Sequence, residues 1–188
     1  MIKSEVTIMK YFVISDIHGS KYYLQKALEQ YSNATYDNLL ILGDILYHGP
    51  RNALPKDYDT TYVMNELNKR KDKIIAIRGN CDAEVDQMVL QFHITDTYKT
   101  LETNRTLLLT HGHVYGPDDH PILPKGSCVL SGHTHIPTCD FKNGCYYLNP
   151  GSISIPKGGF SNSYGVLTDT SFTVFNLETN EPIMNVEF

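Results

Sequence analysis

The chain has 188 residues, 41% of them hydrophobic and 20% charged, which suits one folded domain with a sizeable core and excludes wholesale disorder. Its formal net charge of −5 excludes a broad electrostatic grip on nucleic acid or anionic lipid, because both need clustered lysine and arginine. It does not exclude a small phosphorylated substrate, since bound cations reverse the sign locally. The 4 cysteines, Cys81, Cys128, Cys139 and Cys145, form no C-x-x-C pair and point to a reduced, cytoplasmic compartment. No apolar run approaches the roughly 20 residues of a membrane-crossing helix, and the stretch from Met1 to Lys10 lacks the apolar core of a signal peptide. Residues 1–8 read as an N-terminal extension, either an alternative start or an appended remnant, and residues 9–188 as a single domain.

In chain order, Tyr11 to Ile14 is a short apolar run ending at Ser15-Asp16, the pattern of a buried strand. Ser20 is a helix cap, followed by Leu24, Ala27, Leu28 and Tyr31 at helical spacing. Leu39 to Leu42 is a second strand, ending at Gly43-Asp44. A helical segment spans about Thr60 to Arg70, with Tyr62, Val63, Met64 and Leu67 as its core contacts. Ile74 to Ile77 is a third strand, broken by Arg78-Gly79-Asn80-Cys81-Asp82. Strand–helix alternation of this kind predicts parallel strands with crossover helices. Ligand sites in such sheets lie beyond the C-terminal ends of the strands, where Asp16, Asp44 and Asn80 all fall.

The second half changes character. Tyr98 to Leu101 and Thr106 to Thr110 form a predicted hairpin across Thr103-Asn104-Arg105. Ser127 to Leu130 is a buried strand, and Asn143-Gly144 signals a two-residue hairpin turn. Val166-Leu167 and Phe172 to Phe175 suggest further strands. This half is expected to be antiparallel, giving two sheets packed face to face.

The chemistry lies in five segments: Asp16-Ile17-His18, Gly43-Asp44, Gly79-Asn80, His111-Gly112-His113, and Gly132-His133-Thr134-His135. Each puts an oxygen or imidazole donor after an apolar run, usually beside a glycine. Singly they are weak, since Asp-x-His and Gly-Asp arise by chance and lone histidines are often satisfied core residues. Together they are specific, because ordinary turns do not explain why every apolar strand of the first half ends in a potential ligand. Mixed carboxylate and imidazole ligation suits borderline divalent cations.

This series resembles the calcineurin-like metallophosphoesterase superfamily. The stretches His48 to Pro55 and Asn149 to Gly159 are similar to the small bacterial YfcE-type phosphodiesterases, and the resemblance covers about residues 10–188. It implies an α/β fold, a four-layer α/β/β/α sandwich of two mixed sheets flanked by helices. It implies two divalent metal ions per chain, manganese first, with iron, zinc, nickel or cobalt as alternatives. Asp16, His18 and His135 would hold one ion, Asn80, His111 and His133 the other, and Asp44 would bridge. A hydroxide on the pair would then attack a phosphate ester in line.

One position departs from that pattern. Many members carry histidine directly after the asparagine, as the candidate acid for the leaving group, and here Cys81 stands there. A thiol replaces imidazolium poorly at neutral pH, which favours diesters and aryl phosphates over alkyl monoesters; a small buried filler is the equal alternative for Cys81. Asn80, His48 and Arg51 are candidate substrate contacts. His113 is read as support for a ligand, His93 and His120 as surface residues, and Lys157 as solvated. Competing readings are a non-catalytic metal-binding scaffold for protein partners, a phosphatase or nucleotide pyrophosphatase on the same fold, and metal storage. The expected partner is a small phosphorylated substrate; nucleic acid is disfavoured, no membrane is expected, and a homo-oligomer is left open.

Overall fold

The computed structural model describes residues 9–188, so the expected N-terminal extension lies outside the described residues. Strand β1 (Lys10–Ile14) leads through helix α1 (Lys21–Ser32) to β2 (Asn38–Ile41), and through α2 (Thr60–Asn68) to β3 (Ile74–Ala76). Strand β1 pairs parallel with β2, and β2 with β3, as the alternating pattern predicts. Helix α1 starts where the Ser20 side chain accepts from the backbone N–H of Tyr23, and α2 where Asp59 accepts from Tyr62, each satisfying an otherwise free helical donor. Of the expected α2 contacts, Val63 and Leu67 are buried and Met64 packs partly against them. Tyr62 instead lies beneath the ammonium of Lys21.

A short helix α3 (Glu84–Val89), absent from the sequence reading, precedes β4 (Tyr98–Glu102) and β5 (Thr106–Thr110). Then come β6 (Cys128–Leu130), β7 (Thr138–Lys142), β8 (Cys145–Asn149), β9 (Ser163–Thr168), β10 (Ser171–Asn176) and β11 (Pro182–Glu187). The first sheet runs β11-β10-β9-β1-β2-β3 and the second β4-β5-β6-β8-β7. The hairpins predicted around Asn104 and Asn143-Gly144 are present, the latter with φ of 55° and 83° at its two turn residues.

The expectation that the second half is antiparallel is corrected here. Strands β5, β6 and β8 are mutually parallel, and antiparallel pairing in that sheet is confined to the outer strands β4 and β7. The crossover from β5 to β6 is irregular chain containing Gly116-Pro117-Asp118-Asp119-His120-Pro121, which carries no helical period to advertise a parallel connection.

Alternation along the strands builds the layers. Phe12, Ile14, Leu39 and Ile41 face α1 and α2, where they meet Leu24, Leu28, Val63 and Leu67. Val13, Leu40, Leu107, Leu109, Cys128 and Leu130 fill the space between the sheets. On the far face of the second sheet, Leu108, Val129, Cys145 and Tyr147 pack against Leu123 from the crossover. Both sheets are mixed and the sandwich class is the expected one, with loop rather than helix over that far face among the described residues.

Six parallel strands therefore end on one edge: β1, β2 and β3 in the first sheet, β5, β6 and β8 in the second. Phe12 anchors the frame. It is fully buried, stacked on Tyr164 at 4.6 Å between ring centroids and edge-on to Tyr31 and Tyr36. Phe12→Ala is expected to remove about 3–5 kcal/mol of folding stability, read as a lower urea midpoint. An unchanged midpoint contradicts this packing.

Candidate metal centre

The turns after the strands carry unusual backbone. Asp16, His18, Asp44, His133 and His135 all have positive φ, between 49° and 65°, a region L-residues with side chains seldom occupy. Five of the seven expected metal ligands thus sit in a strained conformation, and strain of this kind clusters at functional sites. Close approach between turns makes it necessary. A Cβ on Gly79 would stand 2.1 Å from Asp44 Oδ1, and one on Gly132 would stand 1.9 Å from Ser15 Oγ, so neither position admits a side chain.

The surrounding hydrogen bonds hold these turns. Asp82 is buried and its carboxylate accepts from the backbone N–H groups of Asp44, Ile45 and Gly79 at 2.9, 2.8 and 2.7 Å, tying the β2 turn to the β3 turn. Burial pushes its pKa up to about 6 despite those donors. Ser152 and Ser154 both donate to the carbonyl oxygen of Asp16, and Asn149 donates to the carbonyl oxygen of Gly132. Asp82 and Asn149 fall inside the family-like stretches, but those stretches gave them no role; Ser15, which donates to Asp16 Oδ2, fell in none. Their signal was adjacency: Asp82 follows the Gly79-Asn80 pair, and Asn149 to Ser154 follows a strand.

At the centre, six of the seven expected ligands converge through short contacts. His135 Nε2 lies 3.3 Å from Asp16 Oδ1, and His18 Nε2 lies 3.7 Å from both Asp16 Oδ1 and Asp44 Oδ2. His111 Nε2 is 3.5 Å from Asp44 Oδ1 and 3.1 Å from Asn80 Oδ1. His133 completes the set beside His111, with ring centroids 5.1 Å apart. Its backbone N–H donates to Asp16 Oδ2.

The imidazole tautomers follow from their other nitrogens. Nδ1 of His18, His111 and His135 meets the backbone carbonyl oxygens of Tyr47, Leu42 and Ile155, which only accept, so each Nδ1 carries the proton. Nε2 of His18 and of His135 then presents a lone pair to the cluster, while His111 Nε2 carries a second proton towards Asp44 until a cation displaces it. The Nε2 atoms of His18 and His135 face each other at 3.4 Å, and Asp16 Oδ1 is buried with no hydrogen-bond partner. Lone pairs aimed at lone pairs repel unless a cation or proton lies between them. The donor set of two carboxylates, four imidazoles and one amide oxygen fits borderline divalent cations.

Titration behaviour agrees with that chemistry. Burial alone would raise Asp16 and Asp44, but the imidazoles beside them, His135 and His111 for Asp16 and His111 for Asp44, outweigh it and hold both carboxyls below their usual range. Burial lowers His18 and His133. His111 goes the other way: burial would lower it, yet the Asp44 and Asp16 carboxylates raise it to about 9.

A cleft of about 390 Å³ opens onto the cluster, lined by His18, Asp44, His133, His135, Arg51 and Lys157 among others. Asn80 and Cys81 stand at its rim. Lys157, read as solvated, is exposed and also lines this cleft. His48 does not line it: its ring packs edge-on between Tyr47 and Tyr58. His113 is exposed, 5.3 Å from the His111 ring. His93 is exposed beside Asp96, while His120 is half-buried against the Tyr147 hydroxyl.

Comparison with known proteins agrees with this geometry. Residues 9–171 match the family model of the calcineurin-like phosphoesterase superfamily domain. Phosphodiesterase YfcE of Escherichia coli strain K12 is 44% identical over 180 residues, covering 95% of this chain and 98% of the relative. The solved structure of that E. coli phosphoesterase superposes with a TM-score of 0.93 over the same shares. The probable metallophosphoesterase YsnB of Bacillus subtilis is 26% identical, covering 85% of this chain and 84% of its own. The chain belongs to the calcineurin-like phosphoesterase superfamily and binds divalent metal.

Proposed function

We propose that this chain is a phosphodiesterase acting on small phosphorylated substrates, with two divalent cations held by Asp16, His18, Asp44, Asn80, His111, His133 and His135. The observation that carries it is the meeting of the His18 and His135 lone pairs around the unpartnered Asp16 Oδ1. Two halves are suggested by Asp44, whose Oδ2 faces His18 while its Oδ1 faces His111. That split supports Asp44 as the bridging carboxylate, with Asp16, His18 and His135 on one side and Asn80, His111 and His133 on the other. Manganese is the first candidate, followed by iron, zinc, nickel and cobalt. The relative named a phosphodiesterase supports the reaction class.

When bound, the cations would neutralise phosphoryl oxygens and lower the pKa of a coordinated water towards about 7. The chain's own groups do the rest. Arg51 and Lys157 line the cleft and would hold the non-bridging oxygens of the phosphate, the guanidinium by a fork. Cys81 stands where an acid for the leaving group is wanted. Burial, then the Asp44 charge, push its thiol up to about 12, so it neither ionises nor readily gives up its proton at neutral pH. Leaving groups must then depart without much help, which favours aryl arms and diesters over alkyl monoesters. His48 is half-buried between two tyrosines and props the ring of Tyr47. The free state of all four cysteines supports a reducing, cytoplasmic setting, and no helix among the described residues is long and apolar enough to cross a membrane.

The direct test is hydrolysis of an aryl phosphodiester beside the matching monoester, with added manganese or with chelator. Faster diester turnover, lost with chelator, is expected; Asp44→Ala and His133→Ala should each lower kcat by at least about a thousandfold. Metal-independent turnover, or wild-type rates in either variant, sinks the assignment. A second outcome concerns protons. His111 carries one below about 9 in the metal-free fold, while ligation needs its lone pair, so loading at pH 7.5 should release a proton. Apparent affinity should rise about tenfold per pH unit and flatten above the His111 pKa. Calorimetry in buffers of differing ionisation enthalpy reads the release, and an observed heat independent of buffer contradicts it.

A further inference from the structure

The cleft at the metal cluster does not end at Asn80 and Cys81. Past them, and past Pro50 and Arg51, it continues into a wider recess of about 880 Å³. These four residues line both spaces. The far walls of the recess are Tyr47, Arg78, Ala83, Glu84 and Val85, from the β2 turn, the β3 turn and the start of α3. Tyr47 is 42% exposed and Val85 60%, so an aromatic and an aliphatic side chain face open space beside a polar centre. Among the described residues the ion pairs of lysine and arginine are Lys26–Glu178, Lys69–Glu66, Arg70–Glu66 and Lys142–Asp118, which leaves Arg51 and Arg78 without carboxylate partners. Arg78 is oriented by its Nε–H donating to the carbonyl oxygen of Asp82 at 3.3 Å.

Tyr47 is fixed to the centre by its backbone and not by its ring. Its carbonyl oxygen accepts from His18 Nδ1 at 2.8 Å, and its ring leans edge-on against His48 with 4.8 Å between centroids. The ring's position relative to the metal cluster is therefore set, while its surface stays available. A phosphate monoester has one ester arm and a single cleft accommodates it. A diester has two, and two joined spaces meeting at Arg51 match two arms around one phosphorus.

Resting on the phosphodiesterase reading, we infer that the recess between Tyr47 and Val85 is a subsite for one arm of the diester, and that the arm is a flat aromatic group. The ring of Tyr47 offers a stacking surface, Val85 adds apolar lining, and Arg78 supplies a cation that stacks on a π-rich arm. Polyol or short alkyl arms gain no stacking on Tyr47 and no cation–π contact with Arg78.

The test uses diphenyl phosphate and diethyl phosphate as probes, titrated calorimetrically into the manganese-loaded full chain. Stacking on one aromatic side chain is worth about tenfold in affinity, so diphenyl phosphate should bind about tenfold tighter or better. Tyr47→Ala and Val85→Glu should each remove most of that preference. Tyr47→Phe, which keeps the ring, should retain it. Both positions are exposed, and the carbonyl of residue 47 remains for His18, so folding is not at stake. With bis(para-nitrophenyl) phosphate the same two variants should raise KM about tenfold and leave kcat within about twofold. Equal affinity for the two probes, or a preference unchanged in both variants, overturns the subsite. So does a fall in kcat with unchanged KM, which would mean that Tyr47 acts only through His18. Tight diphenyl phosphate binding without metal-dependent turnover would keep the subsite and strike the phosphodiesterase reading instead.

Discussion

Three imidazoles, those of His18, His111 and His135, are each locked by an Nδ1–H donated to a backbone carbonyl, so that their Nε2 atoms point to one place. Every other feature of the centre depends on that constraint. With the tautomers fixed, the facing acceptors of His18, His135, Asp16 and Asp44 repel one another, and only positive charge relieves them. A metal centre built this way has its outer hydrogen bonds already made, and ligation needs no reorientation of the rings. The accepting carbonyls belong to Leu42 and Tyr47, around the turn that carries Asp44, and to Ile155, in the loop after β8. Fold and site are thus one set of backbone contacts.

That arrangement stores strain, with positive φ at five ligand residues, and the structure offsets it locally. Asp82 staples two turns through three backbone donors, Ser152 and Ser154 converge on the Asp16 carbonyl, and Asn149 grips the Gly132 turn. None of these residues points at the cleft as a ligand. Each fixes the conformation of one that does. Gly79 and Gly132 let the turns approach to distances that any side chain would forbid.

Much of this was legible in the sequence, for identifiable reasons. Short apolar runs ending in Asp16, Asp44 and Asn80 predicted parallel strands and a shared edge, because alternation of strand and helix leaves little topological choice. The parallel core of the second sheet was not legible: its crossover from β5 to β6 has no helix, and hairpin turns at Asn104 and Asn143 suggested antiparallel pairing throughout. The role of Asp82 was not legible, because a carboxylate that accepts only backbone N–H groups leaves no pattern in the sequence. The separation of His48 from the cleft also escaped, since it is set by packing between Tyr47 and Tyr58, which lie eleven positions apart in the chain. Arg51, four residues from the last residue of the β2 turn, does line it.

The central claim is that these lone pairs enclose two cations per chain. Crystals soaked in manganese, measured at the manganese absorption edge, test it most directly. The account predicts two anomalous peaks, one among Asp16, His18 and His135 and one among Asn80, His111 and His133, with Asp44 between them. A single peak, or peaks lying away from these side chains, would contradict it.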